Sequence, residues 1–164
     1  MPLFTELFGG IGGIDTAIWG EVEIQSCDLD TELRALTAIF RSEKYINRDH
    51  REEAKEKIKH ALKLNACNFD VHYPPEALCD TACMELTDEI RVKNAILNGY
   101  FNGAVYTLEE DKLRITLKYG GMNQINESGY EKDICRRVNK RFSRSITAWE
   151  LSCLPVRSVN NEQD

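Results

Sequence analysis

The residues best suited to chemistry in this sequence are six bases close to its end. They lie within residues 131–144, where six bases against two acids leave a local excess of +4. The six candidate binding residues are Lys132, Arg136, Arg137, Lys140, Arg141 and Arg144. Side chains of this type bind the phosphates of nucleic acids and the acidic surfaces of partner proteins. The same pattern is also typical of a solvated helix face, so both interpretations stay open.

A second motif is the glycine-rich segment at residues 8–13, which is followed by the acids Asp28 and Asp30. Glycines let the backbone approach a cofactor, and an acid after the next strand can bind a ribose hydroxyl. The segment resembles the first motif of DNA cytosine methyltransferases. That motif follows a strand, whereas here only residues 3–7 precede it, and the sequence has no Pro-Cys dipeptide for the nucleophile. We favour a loop before the first strand, and a methyltransferase fragment is a remote alternative.

No arrangement of residues predicts a metal or catalytic centre. Cys79 and Cys83 lie one helical turn apart with His72 upstream, but a structural zinc site needs four ligands in paired spacing. Nucleophile-elbow and phosphate-loop strings are absent from the sequence. We therefore expect no catalytic residue, no metal, no cofactor and no small-molecule substrate.

Composition limits the class of protein further. With 164 residues, 42% of them hydrophobic and 29% charged, the chain predicts one ordinary domain or two very small ones. The net charge of −6 argues against nucleic-acid binding over the whole surface, and residues 21–32 hold five acids and no base. No apolar run approaches the roughly 20 residues of a membrane span, and no secretory signal begins the chain. The six cysteines should therefore be reduced thiols, and we expect a cytoplasmic protein.

The first half of the chain predicts five elements. Alternation and turn chemistry favour a helical turn over residues 3–8 and strands over 21–25 and 33–40, joined by a turn at 28–30. A helix capped by Asn47 or Asp49 should run to about Leu64, followed by a strand over 68–72. Prolines at 74 and 75 then break the chain.

The second half repeats this order. Residues 77–98 predict a helix, 104–108 and 113–118 a hairpin, 122–127 a short helix, and 146–151 a final strand. Residues 130–142 form the clearest amphipathic helix, because Ile134, Val138 and Phe142 recur every four residues with the bases between them. The pattern predicts an α+β protein of two small units, each with an antiparallel sheet covered by helices.

Strings spread along the sequence resemble the N-terminal region of PolC-type bacterial DNA polymerase III alpha subunits. In the second half they are Tyr-Pro-Pro-Glu-Ala-Leu at 73–78, Leu-Asn-Gly-Tyr-Phe-Asn-Gly-Ala at 97–104, and Leu-Arg-Ile-Thr-Leu-Lys-Tyr-Gly-Gly at 113–121. In the first half they are Phe4-x-x-Leu7-Phe8, the Val-Glu-Ile strand at 22–24 and Arg-Ser-Glu-Lys-Tyr-Ile at 41–46. The resemblance covers residues 1–152.

The resemblance implies two modules and a polar tail. Residues 1–73 would be similar to the alpha-binding domain of the clamp-loader subunit tau, 74–153 would be KH-like with type II order, and 154–164 would be a disordered tail. KH domains clamp a nucleic-acid backbone with a Gly-x-x-Gly loop, whereas residues 126–129 here read Asn-Glu-Ser-Gly. The DNA-directed DNA polymerase and 3′–5′ exonuclease parts of the family would lie beyond residue 164.

Two functions from different classes follow. The first is a non-catalytic accessory region of a replicative polymerase, which binds replisome proteins such as the clamp-loader tau subunit or a helicase component. The second is a single-stranded nucleic-acid-binding module that uses the basic helix at 130–144. Neither involves a membrane.

Overall fold

The computed structural model describes residues 2–97, 99–146 and 148–154. The chain divides into two compact units, Met1–Ala82 with Asn139–Arg144, and Cys83–Val138 with Ser145–Asp164. Each contains one three-stranded sheet with helices, so the predicted α+β class is confirmed. The predicted module boundary at residues 73 and 74 stays a prediction. Of the predicted tail only Leu154 lies within the described residues.

The first unit contains all five elements predicted for the first half of the chain and one further short helix. They are α1 (Phe4–Phe8), the further helix α2 (Thr16–Trp19), β1 (Glu23–Asp30), β2 (Ala35–Arg41), α3 (Arg48–Ala61) and β3 (Ala66–His72). The predicted cap of α3 is confirmed, because the Asn47 side chain accepts a hydrogen bond from the His50 N–H at 3.0 Å. The turn predicted at residues 28–30 is wrong. β1 continues to Asp30, whose carboxylate then accepts hydrogen bonds from the N–H groups of Glu32 (3.0 Å) and Leu33 (2.9 Å).

The remaining elements follow the predicted order closely. They are α4 (Asp80–Lys93), β4 (Val105–Glu109), β5 (Lys112–Leu117), α5 (Met122–Glu127), α6 (Tyr130–Phe142) and β6 (Ala148–Cys153). The hairpin and the last two helices have the predicted bounds to within a residue. The helix predicted over 77–98 is shorter, since separate 3-10 turns at Pro75–Ala77 and Ala95–Leu97 flank α4. Its predicted end at Asn98 lies outside the described residues.

Both sheets are mixed, so the prediction of antiparallel sheets is wrong. The strand orders are β1-β2-β3 and β4-β5-β6, and in each the first pair is antiparallel and the second pair parallel. The reason is the helical crossover between the second and third strands, α3 in one unit and α5 with α6 in the other. A helix in that place returns the chain to the end where the second strand began, and the third strand then runs parallel to it.

A cluster of five aromatic rings forms the core of the first unit. Phe4 is fully buried, and its ring centroid lies 4.4 Å from that of Trp19, 5.0 Å from Phe8 and 5.1 Å from Phe40. Phe69 of β3 completes the cluster at 4.8 Å from Phe40. A helix as short as α1 is unstable alone in water, so these contacts hold it in place.

A buried hydroxyl pair fixes α4 against α6 in the second unit. The Thr87 hydroxyl donates to the Cys83 carbonyl at 2.8 Å, so it must accept from the Tyr130 hydroxyl at 2.5 Å. Tyr130 is fully buried, and burial raises its pKa well above the usual value for tyrosine. The phenol therefore remains neutral and serves as a hydrogen-bond donor.

We expect Phe4→Ala to destabilise the first unit by about 3–5 kcal/mol, because it removes the ring at the centre of the cluster. Urea unfolding followed by Trp19 fluorescence, in a Trp149→Phe background, measures this unit alone. The control is Leu7→Ala on the same helix, where the side chain is 57% exposed and the change should stay within about 0.5 kcal/mol. Equal losses for the two variants would contradict the assignment of the core.

Candidate binding surfaces

The rotation of α6 decides which of its bases face solvent. Its fully buried positions recur every four residues and are Tyr130, Ile134, Val138 and Phe142. The exposed positions Lys132, Arg136 and Lys140 have the same spacing, two residues further along. They therefore form one line along the outer side of the helix, which we call the basic stripe.

The basic stripe retains two cations without an ionic partner. Arg136 is 69% exposed on its side chain and forms an ion pair with Asp133 one turn earlier. Within the described part of the chain, Lys132 and Lys140 form no ion pair. The stripe can therefore attract anions through its lysines, and Arg136 can do so by exchanging its carboxylate partner.

The other three predicted bases are half-buried, and the guanidinium groups of Arg137 and Arg144 have partners. Nη1 of Arg137 lies 2.9 Å from Oε1 of Glu89 on α4, and the two side chains are only 19% and 30% exposed. Nη1 of Arg144 donates to the Pro75 carbonyl at 2.9 Å. Arg141 is half-buried and its carbonyl accepts from the Tyr73 N–H at 2.8 Å. The sequence analysis grouped all six bases. Arg137 and Arg141, however, each follow a buried position of α6 by three residues, and this spacing places them beside the buried face of the helix.

The loop before α6 stabilises the start of the helix. The Ser128 hydroxyl donates to the Ile125 carbonyl at 2.6 Å and accepts from the Tyr130 N–H at 3.2 Å. Gly129 has a φ of +82°, which favours glycine, while Glu127 is exposed at the last position of α5, next to the loop. An acid at this position repels a phosphate backbone.

The glycine-rich segment packs on α3. Nζ of Lys57 donates to the Gly13 carbonyl at 3.1 Å, and a Cβ at Gly13 would collide with the Lys57 side chain. The segment follows helix α1, where the methyltransferase motif has a strand. Glycine at this position is therefore explained by the φ of +89°, a conformation that other residues rarely adopt.

The thiols occupy unrelated places. Cys83 is buried, Cys79 half-buried, and burial raises the pKa of the Cys67 thiol to about 11. The Cys27 pKa is also raised, first by partial burial and then by the neighbouring Asp28 carboxylate. Among the described residues, no three His, Cys, Asp or Glu side chains are placed to hold a metal ion.

Within the described residues, the helices are all too short or too polar to cross a bilayer.

One surface that sequence reasoning did not select is the outer half of β1. All six residues from Gln25 to Asp30 are exposed, although they belong to a regular strand. The strand is at the edge of its sheet, and Leu29 is 53% exposed there between Asp28 and Asp30. The sequence signal that could have identified this surface is the run of acids without a base at residues 21–32, which lies on a predicted strand and hairpin.

Comparison with protein-family models, with curated proteins and with solved structures found no match to this chain.

We expect Arg137→Glu to lower stability by about 1–3 kcal/mol, because it places a carboxylate against the half-buried Glu89. Lys132→Glu makes the same charge change on the exposed side of α6 and should remain within about 0.5 kcal/mol. Thermal unfolding of the two variants, followed by circular dichroism, makes the comparison. A Lys132 variant as unstable as the Arg137 variant would contradict the division of the bases into exposed and structural groups.

Proposed function

We propose that this chain is a non-catalytic docking region of the bacterial replication machinery, corresponding to the N-terminal part of a PolC-type polymerase. The observation that carries the docking role is the exposed outer half of β1, where Leu29 lies between two acids on an edge strand. Edge strands with exposed backbone groups and apolar side chains are surfaces that partners pair with. The net charge of −6 agrees with binding to proteins more than with binding to nucleic acid over the whole surface.

The element order of the second unit supports the KH-like part of the proposal. A helix precedes the β4–β5 hairpin, two helices follow it, and β6 then pairs in parallel with β5. This order agrees with the type II order that the resemblance implies. The Asn-Glu-Ser-Gly loop between α5 and α6 lacks the first glycine of the clamp, which favours a scaffolding role for this unit.

We expect the whole chain to bind either the purified clamp-loader tau subunit or the purified replicative helicase of a bacterium with a PolC-type polymerase. Surface-immobilised chain and soluble partner in biolayer interferometry should give saturable binding with Kd of about 1 μM or tighter, typical of a specific transient interface. The control surface carries the Phe4→Ala variant, in which the first unit is destabilised. Absence of binding to both partners would overturn the docking proposal.

Single-stranded nucleic-acid binding is the second candidate function, and the basic stripe of α6 is the observation that favours it. Lys132, Arg136 and Lys140 project at intervals of about 6 Å along the helix axis, since each residue adds 1.5 Å. Three cations in a line can track a phosphate backbone without reading its sequence. The acids Glu131 and Asp133 in the first turn of α6 weaken this surface and should make binding modest.

We expect a labelled single-stranded DNA to bind with a salt slope of about −2, which three phosphate contacts give for single strands. Lys132→Glu with Lys140→Glu should abolish this binding, measured by fluorescence anisotropy at low and moderate salt. Lys63→Glu with Lys93→Glu makes the same charge change at exposed lysines outside α6 and should leave most of the affinity. Equal losses in the two double variants would show general charge attraction, and no binding by the unmodified chain would eliminate this function.

A further inference from the structure

The outer edge of β1 is covered at one end and open at the other. At the covered end, the Phe4 N–H donates to the Val22 carbonyl at 2.7 Å and the Ile24 N–H to the Pro2 carbonyl at 2.8 Å. A register shift at Gln25 then separates this end from the rest of the strand. From residue 26 to residue 30, no described residue pairs with the outer edge, which we call the acidic edge. Alternate backbone groups of such an edge point outward without a ladder partner.

The two faces of the acidic edge differ in chemistry. Cys27 and Leu29 lie opposite the buried Ala38 and Leu36 of β2, so they are on the face that the helices cover. Asp28 lies opposite the exposed Thr37, and therefore faces solvent on the other side of the sheet, together with Ser26 and Asp30. A strand added at this edge would meet acids on one face and a thiol and a leucine on the other.

The negative charge of the acidic edge limits which kind of strand can pair with it. Residues 21–32 hold five acids and no base, and Asp70 of β3 is exposed on the same open face of the sheet. Asp28 has no hydrogen-bond or ionic partner among the described residues, whereas Asp30 is used by the turn that follows. A second copy of this edge would be repelled, and so would a phosphate backbone. A cationic segment would gain from every acid that it meets.

We propose that the acidic edge accepts an extended partner segment in which Lys or Arg alternates with apolar side chains, bound as a fourth strand of the first sheet. The alternation follows from the pleat, because successive side chains of the added strand face Asp28 and Asp30 on one side and Leu29 on the other. The open stretch of five residues spans about 17 Å at 3.4 Å per residue, so a segment of similar length suffices. The inference rests on the proposed docking role and names the chemistry of its partner.

The test uses the whole chain and a labelled, capped peptide of about seven residues in which lysine alternates with valine. Binding is followed by fluorescence anisotropy and by backbone amide NMR. We expect shifts concentrated at residues 26–30 and a loss of about tenfold in affinity for Asp28→Lys. Asp70→Lys makes the same charge change on the opposite edge of the sheet and should cost less than about twofold.

Two N-methylated peptides test the backbone pairing without changing the protein. Methyl groups on the odd-numbered residues of one peptide and the even-numbered residues of the other remove alternate N–H donors. Addition as a strand requires that only one of the two loses binding. Equal effects of the two peptides, equal effects of the two aspartate variants, or no binding of the parent peptide would each overturn the inference.

Peptide binding and replisome-protein binding together distinguish failure of the acidic-edge inference from failure of the proposed docking function. A chain that binds tau or the helicase but not the peptide would retain the proposed function and lose the acidic edge as its site. A chain that binds the peptide in the manner described but neither replisome protein would keep the edge assignment and overturn the replisome proposal.

Discussion

Both sheets depend on one constraint, the helical crossover between the second and third strands. The crossover makes these strands parallel and places helices on one face of the sheet, against the alternating buried side chains of β2 and β5. The hairpin partner in each sheet, β1 or β4, is then left at an edge. The candidate surfaces follow from this arrangement, because the crossover helix α6 carries the basic stripe and the edge strand β1 carries the acids.

The sequence was sufficient to predict a helix or strand wherever its apolar residues recur at one regular spacing. The bounds of α6 follow from apolar residues at four-residue steps, and the β4–β5 hairpin follows from alternation on either side of an acidic turn. Strand direction could not be read in this way, because it depends on the end of the sheet to which a helix returns the chain. The turn predicted at residues 28–30 failed for a related reason. Aspartate favours turns, yet Asp30 supports its turn from the last position of the strand.

The sequence predicted which bases could form the candidate site, but it did not predict which of them are exposed and which have structural partners. The six bases of 131–144 were evident, but a base such as Arg137 pairs with Glu89 from a distant part of the sequence. Only packing distinguishes it from Lys132, which is exposed on the same helix. The acidic edge had the opposite difficulty. The sequence shows its acids, but the position of a strand at the edge depends on the strand order of the whole sheet. A local sequence pattern does not predict that order.

The exposure of residues 25–30 on both faces of β1 has a consequence for how such a chain can diverge. Core positions such as Phe4 or Ile115 tolerate few replacements, because a change in volume there is felt by the whole unit. The side chains of residues 25–29 are free of that requirement, since the strand needs only its backbone to stay paired with β2, whereas Asp30 also supports the following turn. Substitutions can therefore accumulate there at little cost in folding. Related chains could therefore differ in this short segment while the rest of the first unit stays the same.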